Sequence, residues 1–402
     1  MTTVALINPA DNSSIEPMVY PPLGLLYIAS ILERNGYRAI LYDLREDSDI
    51  HRIKEHDIYC FTATTSQINQ TVNTSRYLRR IYKDKFHIIG GPHASFMAET
   101  LTDTFDVIII GSGEYAVLSA ILYRKPDILS MPLTSLNDIP FPSRHLMKPE
   151  HIATNLLWEG HRYGTGPIAT TITASRGCPH KCSFCANIPR KVLLRDHGDI
   201  ASEIEELQKT YNCNHFRFLD DNLLLNKKWL RNLSEELHDL RIEFRCSVRS
   251  DSLDEEFCDM LDYAGCKEIG FGVECADDRV LSAIDKKETA SDHANSIALA
   301  KKYKFKTKAF FMVGLPFETE DTIKKNKHFI STVKPDKVIV TLFTPYPGSD
   351  IFDSPDKYGV RILTKHWNRY VQTSPTRSII ETNYGKPKDF ERRHMEMIRF
   401  IS

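Results

Sequence analysis

The feature that most constrains the fold is a repeated alternation of short apolar runs with amphipathic helical patterns along most of the chain. Strands that alternate with helices predict parallel sheets with helices on both faces, because each parallel connection needs a crossover. The alternation comes in two series, separated by a proline-rich stretch at residues 138–143. The sequence therefore predicts an α/β protein with two domains.

The first series predicts a flavodoxin-like or Rossmann-like parallel sheet over residues 1–140. Glycines stand where its strands end: Gly90 and Gly91 after the fourth strand, and Gly111 and Gly113 after the fifth. At such points the backbone turns tightly or approaches a ligand, and in open α/β sheets ligands bind beyond the carboxyl ends of the strands. We expect strands at 4–8, 38–42, 58–61, 87–89 and 107–110, and helices at 23–35 and 68–82.

The second series begins after a linker at residues 141–164 and contains six strand–helix units over residues 165–350. Asp199, Asn226 and Ser252 are expected to cap three of its helices. Residues 351–402 are weakly patterned, and we expect them to close the open side of a barrel or to line a substrate pocket. The strands are expected at 168–174, 216–219, 242–248, 268–273, 307–313 and 338–343, and the helices at 200–211, 227–240, 252–264, 289–304 and 319–332.

The composition excludes several classes of partner. With 42% hydrophobic and 26% charged residues and a formal net charge of −1, the chain lacks the basic excess of a nucleic-acid-binding protein. No stretch approaches the roughly 18 apolar residues of a membrane span, and no signal peptide is evident, so a cytoplasmic location is expected. The nine cysteines are therefore not expected to form disulfides, because the cytosol keeps thiols reduced.

Three of the cysteines form a compact motif. Cys178, Cys182 and Cys185 have the spacing C-x-x-x-C-x-x-C and directly follow the first strand of the second series. Thiolates select zinc or iron–sulfur clusters, and four of them would close a structural site, whereas three leave one metal position open. The alternatives are a zinc site completed by His180 or His197, or three unrelated buried thiols.

This spacing, with Phe184 before the last cysteine, resembles that of the radical S-adenosylmethionine (SAM) superfamily. The resemblance implies a partial (β/α)6 TIM-type barrel and a 4Fe-4S cluster on the three cysteines, whose fourth iron binds the amino and carboxylate groups of SAM. It also implies SAM contacts at the ends of successive strands. Phe184 in the cysteine motif is one of them. Asp220 or Asp221 would bind the amino group of SAM, and Ser247 and Arg249 would bind its ribose and carboxylate. Glu274 would bind the ribose or pair with Arg249, and the turn of Leu315 would pack against the adenine.

Isolated polar residues at strand ends are usually helix caps or solvated turns. Asp221, for example, could simply cap the next helix. Their occurrence at successive strand ends is harder to explain in this way, which favours a shared binding role.

Three segments of the first series, at residues 20–25, 88–95 and 110–114, resemble the cobalamin-binding domain that is fused to many radical SAM enzymes. The loop after the first strand, residues 8–20, lacks the histidine of the D-x-H-x-x-G motif, so we predict cobalt without a histidine lower ligand. His93 is the rival ligand. Asp49-Ile50-His51 imitates the motif but follows the second strand, which favours a solvated helix start. The implied cobalamin contacts are Leu23, Gly24, Thr62, Thr64, Ser66, Gly90, Gly91, Pro92, His93, Gly111, Gly113 and Glu114.

Together the chain resembles the cobalamin-dependent radical SAM methyltransferases. The resemblance implies methylation of an unactivated carbon of a metabolite or natural-product precursor, by way of a 5′-deoxyadenosyl radical and methylcobalamin. It further implies a small-molecule or peptide substrate and an external electron donor of the flavodoxin or ferredoxin type. One alternative keeps both cofactors for a non-methylating cyclisation, rearrangement or oxidation. Another is a non-catalytic metal or electron-transfer protein, which is disfavoured because it would need no SAM pocket.

Overall fold

A computed structural model of the protein describes residues 1–10, 18–158, 166–186, 190–372 and 377–402. The chain forms two compact units, one of Met1–Thr154 with His366–Tyr370 and one of Asn155–Lys365 with Val371–Ser402. Most of the expected linker, and a short piece of the expected C-terminal element, thus cluster with the first unit. Among the described residues, no helix combines the length and the apolar character needed to cross a membrane.

The first unit contains a parallel six-stranded sheet in the order β2-β1-β3-β4-β5-β6. The order reverses between β1 and β3, and this switch point is where doubly wound sheets bind ligands. The expected strands are present, and a sixth strand that the sequence did not indicate extends the edge. The elements are β1 (Thr3–Asn8), α1 (Leu23–Arg34), β2 (Arg38–Asp43), β3 (Ile58–Thr62), α2 (Ile68–Ile81), β4 (Phe86–Gly90), α3 (Pro92–Met97), β5 (Val107–Ile110), α4 (Ala116–Tyr123), β6 (Asp127–Ser130) and α5 (Pro149–Ile152).

Burial on both faces explains the continuous apolar strands of this sheet. Along β1, Ala5 and Ile7 belong to one hydrophobic cluster, whereas Val4 and Leu6 belong to the cluster on the other face. Successive side chains of a strand point to opposite faces, so a strand covered on both sides must be apolar throughout. The polar positions of the sheet are consequently left at the strand ends.

The second unit contains a parallel six-stranded sheet in the order β14-β13-β12-β11-β10-β7, in which consecutive strands are neighbours. This order confirms the expected run of strand–helix units. Two antiparallel pairs, β8 with β9 and β15 with β16, stand apart from it. The elements are β7 (Ala169–Ile172), β8 (Ser175–Arg176), β9 (Leu193–Leu194), α6 (His197–Tyr211), β10 (His215–Phe218), α7 (Lys227–Leu240), β11 (Glu243–Val248), α8 (Glu255–Tyr263), β12 (Cys266–Glu274), α9 (Asp278–Ala283), α10 (Ala290–Lys302), β13 (Lys306–Val313), α11 (Glu320–Val333), β14 (Lys337–Leu342), α12 (Asp350–Asp353), β15 (Val360–Ile362), β16 (Ile380–Thr382) and α13 (Pro387–Ile401).

One of the three expected helix caps is confirmed. The Asn226 side chain accepts from the backbone N–H of Trp229 at 2.9 Å at the start of α7. For α6 the cap is Asp196, and for α8 it is Asp254. Asp199 lies in the first turn of α6, where its negative charge interacts favourably with the positive end of the helix dipole. Ser252 belongs to the 3-10 turn that precedes α8.

The C-terminal helix α13 packs along β14, the edge strand of the second sheet. His394 Nε2 lies 3.1 Å from the carbonyl oxygen of Val340, and Lys327 of α11 pairs with Glu396 at 2.5 Å. A covered edge strand is protected from pairing with other chains.

Candidate functional site

The cysteine motif lies on a loop that follows the short strand β8. The backbone N–H of Cys185 donates to the carbonyl of Cys182 at 3.0 Å, which forms a turn between these two cysteines. Ser183 fixes the loop to the rest of the unit, because its N–H bonds to Ile284 at 2.9 Å and its carbonyl accepts from Ile351 at 3.0 Å. Cys182 is buried, and Cys178 is half-buried.

A guanidinium group faces the middle thiol. Arg249, which follows β11, has its Nη1 at 3.7 Å from the Sγ of Cys182. Burial raises the pKa of Cys182, and the cations of Lys286 and Arg249 partly oppose that rise. Burial thus keeps the Cys182 thiol protonated, while the two cations would compensate the negative charge of a group bound to this sulfur.

Among the described residues, no three His, Cys, Asp or Glu side chains converge as ligands of one metal ion would. His197, one of the alternative zinc ligands, has its Nδ1 at 3.3 Å from Glu236 of α7. The donor set suits a 4Fe-4S cluster, because three thiols with cationic neighbours match the soft ligands and negative charge of such a cluster.

Two buried cations share the carboxylates beneath the cysteine loop. Arg249 pairs with Asp251 at 2.8 Å and with Glu288 at 3.2 Å. Lys286 pairs with Glu274 at 3.1 Å and also with Glu288 at 3.2 Å. Glu274 thus pairs with Lys286 rather than with Arg249, the pairing that the sequence analysis gave as one possibility.

Sequence reasoning missed Lys286 and Glu288. Both are buried, although they belong to a run of charges, 285–288, that is typical of a solvated surface. Burial alone would lower the pKa of Lys286, but the carboxylates of Glu274 and Glu288 outweigh it and hold that pKa above its usual value. The Nζ of Lys286 also lies 5.9 Å from the ring centre of Phe184 in the cysteine loop.

The adjacent carboxylates after β10 have different surroundings. Asp220 is buried, and its carboxylate accepts from Ser175 Oγ at 2.5 Å and from the N–H of Ala174 at 3.2 Å. Burial raises the pKa of Asp220 to about 6, although these hydrogen bonds oppose the rise. Asp221 is exposed. Asp220 therefore anchors the strand that leads into the cysteine loop, and Asp221 is the carboxylate on the surface.

The remaining predicted SAM residues lie at strand ends. Ser247 is half-buried in β11, and its Oγ would be 3.3 Å from a Cβ on Gly270 of β12. Leu315 is fully buried in the turn after β13. Such strand ends are where TIM-type barrels place their chemistry.

The predicted cobalamin residues meet at the carboxyl edge of the first sheet. Gly91 has a φ of +93°, and a Cβ there would lie 2.5 Å from Thr62 Oγ1 and 3.2 Å from the backbone of Ala63. The N–H of Gly111 donates to Ser95 Oγ at 2.9 Å, which ties the end of β5 to helix α3.

Other members of this set have structural contacts or open surroundings. Thr64 forms a capping box with Gln67, and Ser66 Oγ lies 3.3 Å from Thr64 Oγ1. No heavy atom lies within 4 Å of a Cβ placed on Gly24 or Gly111, so the backbone is open at both positions. An open backbone fits a large, flat ligand such as a corrin. Leu23, His93 and Glu114 are buried, and Gly90 and Gly113 are half-buried, whereas Pro92 is exposed.

The rival cobalt ligand, His93, is buried at the start of α3. Its Nδ1 lies 3.3 Å from Thr65 Oγ1, and its ring packs edge-on against Trp367 with centroids 5.1 Å apart. Burial lowers the pKa of His93 to about 4, so the imidazole is neutral. Its Nε2 has no hydrogen-bond partner within the described ranges. As expected, Asp49 caps a short 3-10 turn at the protein surface through the N–H of His51.

The sequence of each unit matches a known family. Residues 172–330 match the Radical SAM superfamily, and residues 17–121 match the B12 binding domain. These two matches confirm the predicted resemblance to the cobalamin-dependent radical SAM enzymes and the expected cofactors, a 4Fe-4S cluster, SAM and cobalamin.

Among curated proteins, an uncharacterized methyltransferase, PH0819, from Pyrococcus horikoshii is 27% identical, and the alignment covers 92% of this chain and 87% of the relative. An anaerobic magnesium-protoporphyrin IX monomethyl ester cyclase from Rubrivivax gelatinosus is also 27% identical, over 83% of this chain and 66% of that protein. The radical SAM methyltransferase TsrM from Kitasatospora setae, whose structure contains cobalamin and a 4Fe-4S cluster, superposes with a TM-score of 0.73 at 16% identity, covering 100% of this chain and 89% of TsrM. This likeness confirms the predicted fold class.

Proposed function

We propose that this protein is a methyltransferase that methylates an unactivated carbon of a small metabolite or natural-product precursor. The observation that carries the proposal is the contact of Arg249 with Cys182 in a loop of three thiols, within a chain that also has a B12 binding domain. When bound, the cofactors supply one-electron cleavage of SAM and a transferable methyl group.

In this proposal, Cys178, Cys182 and Cys185 bind the cluster. Arg249 and Lys286 compensate its negative charge, because both are buried cations close to the loop. The carboxylates of Asp251, Glu274 and Glu288 in turn hold these cations in place.

We assign the remaining SAM contacts as the sequence predicts, with one change of emphasis. Asp221 is the stronger candidate for the amino group because it is exposed, whereas Asp220 is buried and accepts a hydrogen bond from Ser175 of β8. Ser247 and Glu274 would bind the ribose hydroxyls. Phe184 and the turn of Leu315 would complete the pocket.

The first unit would bind cobalamin at the open glycines of its carboxyl edge. We propose that cobalt has no histidine lower ligand, because His93 lies under Trp367 and beside Thr65. Electron paramagnetic resonance of the Co(II) protein tests this point. Nitrogen superhyperfine splitting would identify His93 as a ligand, and its absence is the expected result.

An external flavodoxin or ferredoxin would deliver the electron, and the cytoplasm would be the site of action. The support is chemical, because no disulfide joins the nine cysteines, all of which lie in the described part of the chain, and thiols persist in a reducing compartment.

Counting products tests the methyltransferase proposal. The anaerobically reconstituted enzyme is supplied with SAM, a reductant and candidate substrates, and its iron, sulfide and cobalt are measured. Methylation should give S-adenosylhomocysteine and 5′-deoxyadenosine in about equal amounts, since one SAM is a methyl source and the other is cleaved. Protein that holds a full cluster and never cleaves SAM would refute the proposal.

A second candidate is a non-methylating ring closure or oxidation with the same cofactors. The resemblance to the cyclase from Rubrivivax gelatinosus favours it. That reaction would release 5′-deoxyadenosine without S-adenosylhomocysteine, so the same product count separates the two candidates.

A further inference from the structure

The turn after β13 is held from outside by the C-terminal helix. It runs from Gly314, with a φ of +93°, to Phe317, with a φ of +64°, and both residues have the left-handed backbone that makes a tight turn. Phe390 of α13 packs against this turn, because a Cβ on Gly314 would lie 3.4 Å from its ring. The turn is therefore in direct contact with a helix more than 70 residues later in the sequence.

Glu318 closes the turn on itself. Its side chain is fully buried, and Oε2 accepts from the N–H of Gly314 at 2.9 Å. Its other oxygen, Oε1, lies 3.5 Å from Nη1 of Arg393 in α13. A buried carboxylate needs such a partner, since an unpaired buried charge is strongly unfavourable.

Arg393 is also buried and has several polar partners around this turn. Its side chain is 5% exposed, and its Nε pairs with Glu320 at 2.9 Å. Its guanidinium also lies 3.2 Å from the carbonyl of Tyr384 and 3.4 Å from the carbonyl of Glu318. One side chain of the C-terminal helix thus bridges the turn, the start of α11 and the segment before α13.

The neighbouring Arg392 provides a natural comparison. It also pairs with Glu320, but its side chain is 54% exposed and it makes no contact with Glu318 in the described structure. The exposed pair contributes little to stability, whereas the buried pair joins Glu318 to α13.

We propose that Arg393 is a positioning residue for SAM: by holding Glu318, it keeps the turn of residues 314–318 in the shape that receives the adenine moiety of SAM. This inference rests on the proposed function, in which this turn contacts SAM, and it gives the C-terminal helix a role in cofactor binding. The physical reason is that the turn follows a barrel strand at its carboxyl end, where ligands bind. The carboxylate that accepts from the Gly314 N–H is also the one that Arg393 pairs with.

The test compares Arg393→Met with Arg393→Lys and with the matched control Arg392→Met. Each full-length variant is reconstituted anaerobically, its iron content is measured, and SAM affinity is determined by equilibrium dialysis. We expect Arg393→Met to weaken SAM binding by about tenfold or more at unchanged iron content. Arg393→Lys should recover part of the loss, and the control should stay within about twofold of the wild type.

Unchanged SAM affinity in Arg393→Met at full iron content would overturn the inference. If that variant fails to fold, Glu318→Gln keeps the size of the side chain and an acceptor for Gly314 while removing the charge. We expect Glu318→Gln to weaken SAM binding too, and wild-type affinity in this variant would equally overturn the inference. If the wild-type protein itself binds no SAM, it is the proposed function that fails.

A double variant tests whether the two side chains act through the same contact. Because both side chains act through the same contact, the loss of SAM affinity in Glu318→Gln/Arg393→Met should be no larger than that of Arg393→Met alone. Additive losses would show that the two residues act independently, contrary to the inference.

Discussion

Alanine substitutions at three glycines of the first unit separate backbone strain from steric contact. Gly91 has both a positive φ of 93° and close neighbours, with Thr62 Oγ1 2.5 Å from an added Cβ. Gly111 has a positive φ of 77° but no heavy atom within 4 Å of that position, and Gly24 has neither constraint. The three positions therefore form a graded series at the carboxyl edge of the first sheet.

The expected magnitudes follow from these geometries. A left-handed backbone costs a residue with a Cβ about 1–2 kcal/mol, which is the whole effect expected for Gly111→Ala. Gly91→Ala adds overpacking against Thr62 and the backbone of Ala63, which costs about 1–3 kcal/mol. We expect a total loss of about 2–5 kcal/mol. Gly24→Ala lies in α1 and should be neutral or stabilising by up to about 1 kcal/mol.

Hydrogen–deuterium exchange of the full chain measures these losses. Peptides covering β3 and β4 report the opening of the first unit separately from the second, and each tenfold loss of protection corresponds to about 1.4 kcal/mol. The order of destabilisation should be Gly91, then Gly111, then Gly24. Equal losses in Gly91→Ala and Gly111→Ala would refute the reasoning, because the close approach to Thr62 would then have no energetic effect.

Three further predictions concern stability: two compare a buried residue with its exposed neighbour in the sequence, and the third concerns the dependence of stability on pH. Asp220→Ala should lower the free energy of unfolding by about 2–5 kcal/mol, since buried donors lose their acceptor. Substitution of the exposed neighbour, Asp221→Ala, should change it by less than about 0.5 kcal/mol. Similar urea midpoints for the two variants would contradict this prediction. Lys286→Ala breaks buried ion pairs and should cost about 3–5 kcal/mol, against almost nothing for Lys287→Ala, whose side chain is 68% exposed. Burial lowers the pKa of His87 from 6.5 to about 3 in the folded protein. Because the unfolded chain binds this proton more readily, the free energy of unfolding falls as the pH drops below 6.5, by about 2 kcal/mol at about pH 5. His87→Phe should remove that component in urea titrations, and an unchanged pH profile would argue against it.

The sequence predicted most strands of both sheets, because a strand–helix alternation is a local pattern that depends on residue type and period. It also identified the cysteine motif, since ligand chemistry and spacing are both properties of one short segment. Elements with weak periodicity, such as β6 and the short α9, were missed. Two of the three helix caps were displaced by a few residues, because several acidic or hydroxyl side chains near each helix start could serve.

The tertiary structure alone decided which charges meet. Asp220 and Asp221 are adjacent in the sequence, yet one is buried under the cysteine loop and the other is exposed. Lys286 and Glu288 belong to a charge run typical of a surface, and only the fold buries them against Arg249 and Glu274. Glu318 and Arg393 are separated by 75 positions. An ion pair depends on distance in space and on burial, and neither quantity is contained in a local pattern.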